Sequence, residues 1–204
     1  MAGRRHAKRK VLQRGQQVVT ARLHLGMHRA VFGVSPAEVA DRVVPLADLW
    51  GEDAVQLGDR LIEAKGAREV ASMIEAVILR RHAAARMHEA HTRLALEAAA
   101  RLSTDRVGEV AEALGVSERN LRRVFREAIG MSPKEFARLA RFHRALREAS
   151  ASDRVDWAGV AVASGYYDQA HLIAEFREIA GVTPRTLLSE LHGAAPVVTV
   201  AATT

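Results

Sequence analysis

The sequence predicts a mainly α-helical protein, in which a seven-helix, two-lobed domain follows a small region with about one strand and two to three helices. Apolar residues recur at helical spacing from about residue 91 to residue 191, whereas only residues 17–24, QVVTARLH, show the β-branched enrichment of a strand. Because a single strand cannot form a stable sheet, we expect helices to bury the core. A sequence unit that occurs twice in the second half predicts the two lobes.

The repeated unit has the form of a helix-turn-helix. Residues 110–136 read VAEALGVSERNLRRVFREAIGMSPKEF, and residues 160–187 read VAVASGYYDQAHLIAEFREIAGVTPRTL, with one extra residue. Each copy predicts a short helix, a tight turn, an amphipathic helix, a glycine stop and a Ser/Thr-Pro helix start. Two such motifs in tandem indicate a protein that reads duplex DNA. A helical solenoid needs three or more units, and the sequence contains two.

The chain divides into four predicted segments: a basic disordered arm at 1–14, a small region at 15–87, the repeat-containing domain at 88–191 and a flexible tail at 192–204. In the small region, Ser35 and Pro36 start a short helix that Pro45 ends, and helical periodicity covers 53–65 and 68–87. In the domain, the predicted helices cover 94–102, 107–114, 117–129, 132–149, 157–164, 168–180 and 183–191.

Charge is concentrated in two parts of the chain, whose formal net charge is +6. Residues 117–147 contain nine Lys or Arg against three Glu, and residues 1–14 contain six basic residues and no acidic one. The rest of the chain is therefore net acidic, and the clustering of basic charge on one helical stretch indicates binding to a polyanion. No apolar run approaches the length of a membrane span, so we expect a cytoplasmic protein without a membrane partner.

The amphipathic helix of the first repeat predicts the main DNA-reading surface. At about 100° per residue, Leu121, Val124, Phe125 and Ala128 lie on one face. The opposite face carries Arg119, Arg122, Arg123 and Arg126. Arginine pairs bidentately with guanine, and Asn120 can do the same with adenine. A solvated basic face is the alternative interpretation, and the tandem motif argues against it.

The corresponding helix of the second repeat has less polar chemistry. Leu172, Phe176 and Ile179 form its apolar face, and the opposite positions are Ala170, Ile173, Ala174 and Arg177. Gln169 and His171 lie near its start, where a helix end meets base edges. We therefore expect the first motif to dominate and the second to contribute a thymine-methyl contact, a Gln169 contact and a phosphate contact from Arg177. The alternative is that the second motif only packs.

The predicted helix at 132–149 connects the two motifs. Its eighteen residues span about 27 Å, against about 34 Å between successive major-groove faces, so insertion of both motifs would bend the DNA. Lys134, Arg138, Arg141 and Arg144 are available to backbone phosphates.

The second half of the chain resembles the AraC/XylS family of bacterial transcription factors. The resemblance covers about residues 91–191 and depends on G-x-S-x(3)-L-x(3)-F from Gly115 to Phe125, G-x-S-P from Gly130 to Pro133, Phe176, and G-x-T-P from Gly181 to Pro184. It implies a seven-helix DNA-binding domain whose third and sixth helices enter adjacent major grooves, and it implies recruitment of RNA polymerase at promoters. The implied base contacts are Arg119, Asn120, Arg122, Arg123, Gln169, Ala170, His171, Ile173 and Ala174. The predicted phosphate contacts are Ser117, Arg126, Lys134, Arg138, Arg141, Arg177 and Arg185.

Family members usually carry a separate N-terminal effector or dimerisation domain. Residues 22–51, RLHLGMHRAVFGVSPAEVADRVVPLADLWG, look similar to the closing portion of such a domain, so we expect a truncated sensor-like region and a possible homodimer.

The sequence offers little support for an enzyme and leaves one non-enzymatic alternative. Without cysteine, the chain has no thiol chemistry, and no Gly-rich phosphate loop, nucleophile elbow or paired carboxylates appear, so we expect neither an enzyme nor a cofactor. His82, His88 and His91 share a predicted helix but lack an acidic third ligand at metal spacing, so we expect no metal site. The non-enzymatic alternative is a helical interaction module that dimerises with a full-length regulator without binding DNA, through Ile62, Met73, Ile74, Val77 and Ile78.

Overall fold

The computed structural model describes residues 19–40, 42–85, 89–152 and 154–193, and within them it contains eleven α-helices, one 3-10 turn and no strand. The mainly α fold class is confirmed. The 3-10 turn is Pro36–Glu38. The helices are α1 His28–Phe32, α2 Leu46–Trp50, α3 Glu52–Glu63, α4 Ala67–Ala84, α5 Glu89–Arg101, α6 Val107–Ala113, α7 Glu118–Ile129, α8 Pro133–Ser150, α9 Trp157–Ala163, α10 Gln169–Ala180 and α11 Pro184–Gly193.

The region before α5 differs from the prediction in two details. Residues 17 and 18 lie outside the described ranges, and residues 19–24 form no strand. A strand needs a neighbouring backbone to complete its hydrogen-bond ladder, and the described part of the chain offers none. The same region forms four α-helices rather than two to three.

All seven predicted helices of the second half, α5–α11, are observed. Polar side chains cap the starts of α7, α8 and α10. Ser117 Oγ accepts a hydrogen bond of 3.2 Å from the amide of Asn120 at the start of α7. Ser132 forms the predicted capping box with Glu135 at the start of α8. Asp168 caps α10 through the amide of His171, at 2.7 Å. Each of these caps satisfies an amide that the first turn of a helix leaves without a partner.

Two apolar cores make the predicted lobes. The core of the first lobe, from α5, α6 and α7, centres on Leu102, Leu121 and Phe125. The core of the second lobe, from α8, α9 and α10, centres on Phe142, Leu172 and Phe176. Leu139 of α8 packs against both cores, so the long helix joins the lobes through apolar contact as well as through the chain.

A third, smaller core lies in the N-terminal region and is held by one arginine. Val31, Trp50, Leu57 and Val77 form it. Arg81 donates to the carbonyl of Val31 at 2.8 Å, pairs with Asp53 at 2.7 Å, and stacks its guanidinium 4.8 Å from the centre of the Trp50 ring. These contacts join α1, α2, α3 and α4, which are individually too short or too polar to fold alone.

The N-terminal region packs against the first lobe rather than standing apart. Pro36 of the 3-10 turn is buried and lies beside Gly130, the residue that ends α7. The amphipathic helix of the first motif is therefore contacted by its own lobe on one face and by the N-terminal region at its C-terminal end. Among the described residues no helix combines the length and apolarity needed to cross a bilayer.

Candidate nucleic-acid interface

Helix α7 presents its arginines to solvent because its opposite face is fully buried. Leu121, Val124 and Phe125 are each 0% exposed in the core of the first lobe. The arginine face, which we define as Arg119, Arg122, Arg123 and Arg126, is exposed along its length. The side chains predicted to contact DNA from this motif are thus held on a rigid, well-packed helix, and the spacing of about 100° per residue accounts for the separation of the two faces.

Two glutamates flank the arginine face and pair with two of its members. Arg122 forms an ion pair with Glu118, one turn earlier. Arg123 binds both carboxylate oxygens of Glu127 at 3.1 Å and donates to Asn120 Oδ1 at 3.0 Å. Arg119 and Arg126 have no ion-pair partner among the residues that the structure describes. Exposed pairs of this type contribute at most about 1 kcal/mol, so a polyanion can displace them.

Helix α10 exposes fewer polar side chains than α7, in line with its sequence. Gln169, Ala170, His171 and Ala174 are exposed, whereas Ile173 is half-buried and packs against the core of the second lobe. The ring of His171 lies edge-on to Tyr166, with centroids 5.3 Å apart. The exposed polar side chains at this face are Gln169 and His171 in the first turn of α10, Arg177 further along, and the acidic Glu178 beside it.

The predicted phosphate contacts fall into two environments. Lys134, Arg126, Arg177 and Arg185 are exposed. The hydroxyl of Ser117 accepts the capping hydrogen bond from Asn120 and keeps its own proton to donate.

Arg138 and Arg141 lie in the second environment, between α8 and α10. They are 28% and 30% exposed, and their guanidinium groups lie 3.4 and 3.5 Å from Glu175 Oε2. Arg144 also turns inward and donates to the carbonyl of Ser103 at 2.6 Å.

Glu175 is not among the contact residues predicted from the sequence. Its side chain is 8% exposed, and the hydroxyl of Tyr166 donates to Glu175 Oε1 at 3.1 Å. Burial, with Glu175 adding to it, raises the pKa of Tyr166, so this hydroxyl keeps its proton and stays a donor. The available sequence signal was an acidic residue between Leu172 and Phe176 on the otherwise apolar face.

A cleft of about 690 Å³ separates the lobes and lies against α8. Basic residues line it from α8, together with Arg106 at the start of α6 and with His171 and Glu175 from α10. Its positive side chains exceed its negative ones, but Arg138, Arg141 and Arg144 already contact Glu175 or the carbonyl of Ser103. Arg106 and Lys134 are its exposed basic residues.

No group of three His, Asp or Glu side chains suited to a metal ion occurs in the described ranges. His82 belongs to α4 and His91 to α5, so these two lie on separate helices, and residue 88 lies outside the described residues.

The comparison with known families bears on this same part of the chain. Residues 110–190 match the family model of a helix-turn-helix domain. The match supports an AraC-type helix-turn-helix domain in this part of the chain. The helix-turn-helix domain belongs to a family of DNA-binding regulators rather than of enzymes, and it supports a DNA-binding transcription regulator as the kind of function. Neither the curated proteins nor the solved structures contain a significant match to the chain.

Proposed function

We propose that this protein regulates transcription by reading promoter DNA with two helix-turn-helix motifs, of which the α7 motif dominates. The observation that carries the proposal is the exposed arginine face of α7, directly opposite side chains that are 0% exposed. Four guanidinium groups on one face of a rigid helix, within about two turns, suit a surface of phosphates and guanine edges.

The two motifs have different roles in this proposal. Base contacts come from α7 through Arg119, Asn120, Arg122 and Arg123, and more weakly from α10 through Gln169, Ala170, His171, Ile173 and Ala174. Ile173 supplies only part of its side chain, since it packs into the core of the second lobe. Phosphate contacts come from the exposed members of the predicted set, which are Ser117, Arg126, Lys134, Arg177 and Arg185.

The linking helix limits how both motifs can bind together. Helix α8 has 18 residues and is therefore about 27 Å long, which is shorter than the roughly 34 Å between successive major-groove faces. Because α8 packs into both lobes, it cannot stretch, and the DNA bends when both motifs insert. Gel-based bending assays on permuted sites test this, and unbent DNA in the complex contradicts it.

The proposal also includes the cellular setting and the partners. We place the protein in the cytoplasm, at promoters, where it contacts RNA polymerase and acts as an activator, with a homodimer as its candidate assembly. It needs no cofactor for DNA binding.

Selection from a random duplex library at two salt concentrations tests the proposal. The expected result is an enriched motif with one sharp half and one degenerate half, and an affinity that falls steeply as salt rises. Each base pair read by a bidentate arginine contributes about 1–3 kcal/mol of discrimination, so the sharp half is readily detected.

If no sequence is enriched, the result favours the alternative function, a helical module that dimerises with a full-length regulator without binding DNA. Ile62 is 84% exposed and Val55, on the same face of α3, is 56% exposed, which favours a protein partner for that helix. Most of the other residues of the predicted face are not available to a partner, because Val77 is buried in the N-terminal core and Met73 and Ile78 pack against it. An apolar helix contact would show little salt dependence, so the same titration separates the two functions.

A further inference from the structure

The two repeats differ in chemical character at a buried position of the amphipathic helix. Aligning Leu121 with Leu172 and Phe125 with Phe176 places Val124 opposite Glu175. Both residues lie on the inner face of their helix, and Val124 is 0% exposed while Glu175 is 8% exposed. The first motif thus fills this position with an apolar side chain, and the second fills it with a carboxylate.

The carboxylate of Glu175 is bound from several sides. Tyr166 donates to Oε1 at 3.1 Å, and Arg138 and Arg141 approach Oε2 at 3.4 and 3.5 Å. We call Arg138, Arg141, Tyr166 and Glu175 the Glu175 cluster. The Nε2 atom of His171 lies 3.9 Å from Glu175 Oε2, and Arg138 also pairs with Glu178 at 2.7 Å.

Partners of this kind are required at a buried acid. A carboxylate taken out of water without compensating charges and donors is strongly unfavourable, and removal of one partner leaves the others unsatisfied. Unlike an apolar contact, the cluster depends on geometry, because the Tyr166–Glu175 hydrogen bond is directional and the two arginine ion pairs weaken with distance.

The cluster connects the second motif to the linking helix. Arg138 and Arg141 belong to α8, Tyr166 to the turn that precedes α10, and Glu175 to α10 itself. The guanidinium of Arg141 also lies 5.8 Å from the centre of the Tyr166 ring. The first turn of α10, which carries Gln169 and His171, is thereby held at a fixed orientation to the linking helix.

We infer that Glu175 is the positioning residue of the second motif, and that Arg138 and Arg141 are its internal counter-ions rather than ligands of DNA phosphate. The inference rests on the proposed function, since positioning matters only if α10 reads bases. It explains how a motif with few polar side chains of its own reads a half-site: specificity depends on a fixed orientation of Gln169 and His171.

The direct test is Glu175→Gln, which keeps the shape and the Tyr166 hydrogen bond but removes the charge. Its matched control is Glu148→Gln, an exposed acid on α8. Affinities are measured for a duplex with both half-sites intact and for one with the second half scrambled. We expect the ratio of these affinities to fall from about tenfold in the wild type toward one in Glu175→Gln, with first-half preference unchanged. Tyr166→Phe should give a smaller change in the same direction.

Salt titration tests the assignment of the arginines. Lys134→Gln should lower the slope of log affinity against log salt by about one, whereas Arg141→Gln should leave the slope unchanged while weakening second-half preference. An Arg141→Gln slope that falls like that of Lys134→Gln overturns the assignment. Equal loss on both half-sites in Glu175→Gln, or no loss on either, overturns the positioning role.

Hydrogen exchange separates this inference from the proposed function. In the free protein, Glu175→Gln should speed amide exchange in α10 and leave α7 protected, and unchanged α10 protection contradicts the inference whatever the DNA result. A wild-type protein that enriches no duplex contradicts the proposed function, and the exchange of α10 amides still decides whether the cluster orients the helix.

Discussion

The hydroxyl of Ser35 donates a hydrogen bond of 2.9 Å to the backbone carbonyl of Glu127, which lies 92 residues further along the chain. That carbonyl belongs to the last turn of α7, where helical carbonyls lack partners within the helix. Ser35 also caps the 3-10 turn by accepting from the amide of Ala37. One side chain therefore organises the turn and attaches it to the proposed reading helix.

Gly130 provides a test of this attachment, with Gly181 as its internal control. Both glycines end a reading helix with positive φ, at +89° and +75°, so alanine at either position costs about 1–3 kcal/mol of backbone strain. A Cβ on Gly130 would also lie 2.9 to 3.1 Å from atoms of Pro36, whereas a Cβ on Gly181 meets nothing within 4 Å. Gly130→Ala should therefore lower the free energy of unfolding by about 1–3 kcal/mol more than Gly181→Ala does, measured by urea denaturation. Equal losses contradict the docking of the turn.

Arg122 is expected to specify one base pair. Arg122→Ala should weaken binding to the selected site by about 1–3 kcal/mol and relax preference at a single position, as measured by competition among single-base variants of the site. Arg60→Ala, an exposed arginine on α3, is the control and should leave affinity unchanged. Uniform weakening on all sequences would assign Arg122 to phosphate instead.

Ala174 occupies the position that Arg123 holds in the first repeat. Ala174→Arg adds an exposed guanidinium to α10, so we expect affinity to rise on all duplexes and the salt slope to steepen by about one. Ala76→Arg adds the same charge to an exposed position of α4 and serves as the control. If Ala174→Arg binds like the wild type, α10 does not approach DNA.

His28 makes the stability of the N-terminal region depend on pH. Burial lowers the pKa of His28, whose Nδ1 lies 3.2 Å from the carbonyl oxygen of Val34. The unfolded chain therefore binds this proton more readily than the folded protein. Stability rises with pH across the interval between the pKa of His28 in the folded protein and its pKa in the unfolded chain. The free energy of unfolding should be highest above about pH 6.5 and should fall as the pH drops through that interval. His28→Gln should reduce this slope in denaturation measured at several pH values, and an unchanged slope rejects the assignment to His28.

The sequence predicts the structure correctly where interactions between residues close in the chain determine it. The two motifs, the helix starts at Ser117 and Ser132, and the arginine face follow from residue type and spacing, because capping and helical periodicity act over one or two turns. The strand expected over residues 17–24 is not formed over residues 19–24, because β propensity depends on a distant partner and is realised only when another strand is present.

By itself, the sequence determined the fold class, the seven helices of the second half and the side of α7 that faces solvent. Only the tertiary structure decided that Arg138 and Arg141 turn toward Glu175, and that Ser35 reaches Glu127 on the first reading helix. A helical wheel shows which side of a helix a residue occupies. It does not show which neighbour the fold brings to that side, and the partner of a charged side chain depends on contacts between residues far apart in the chain.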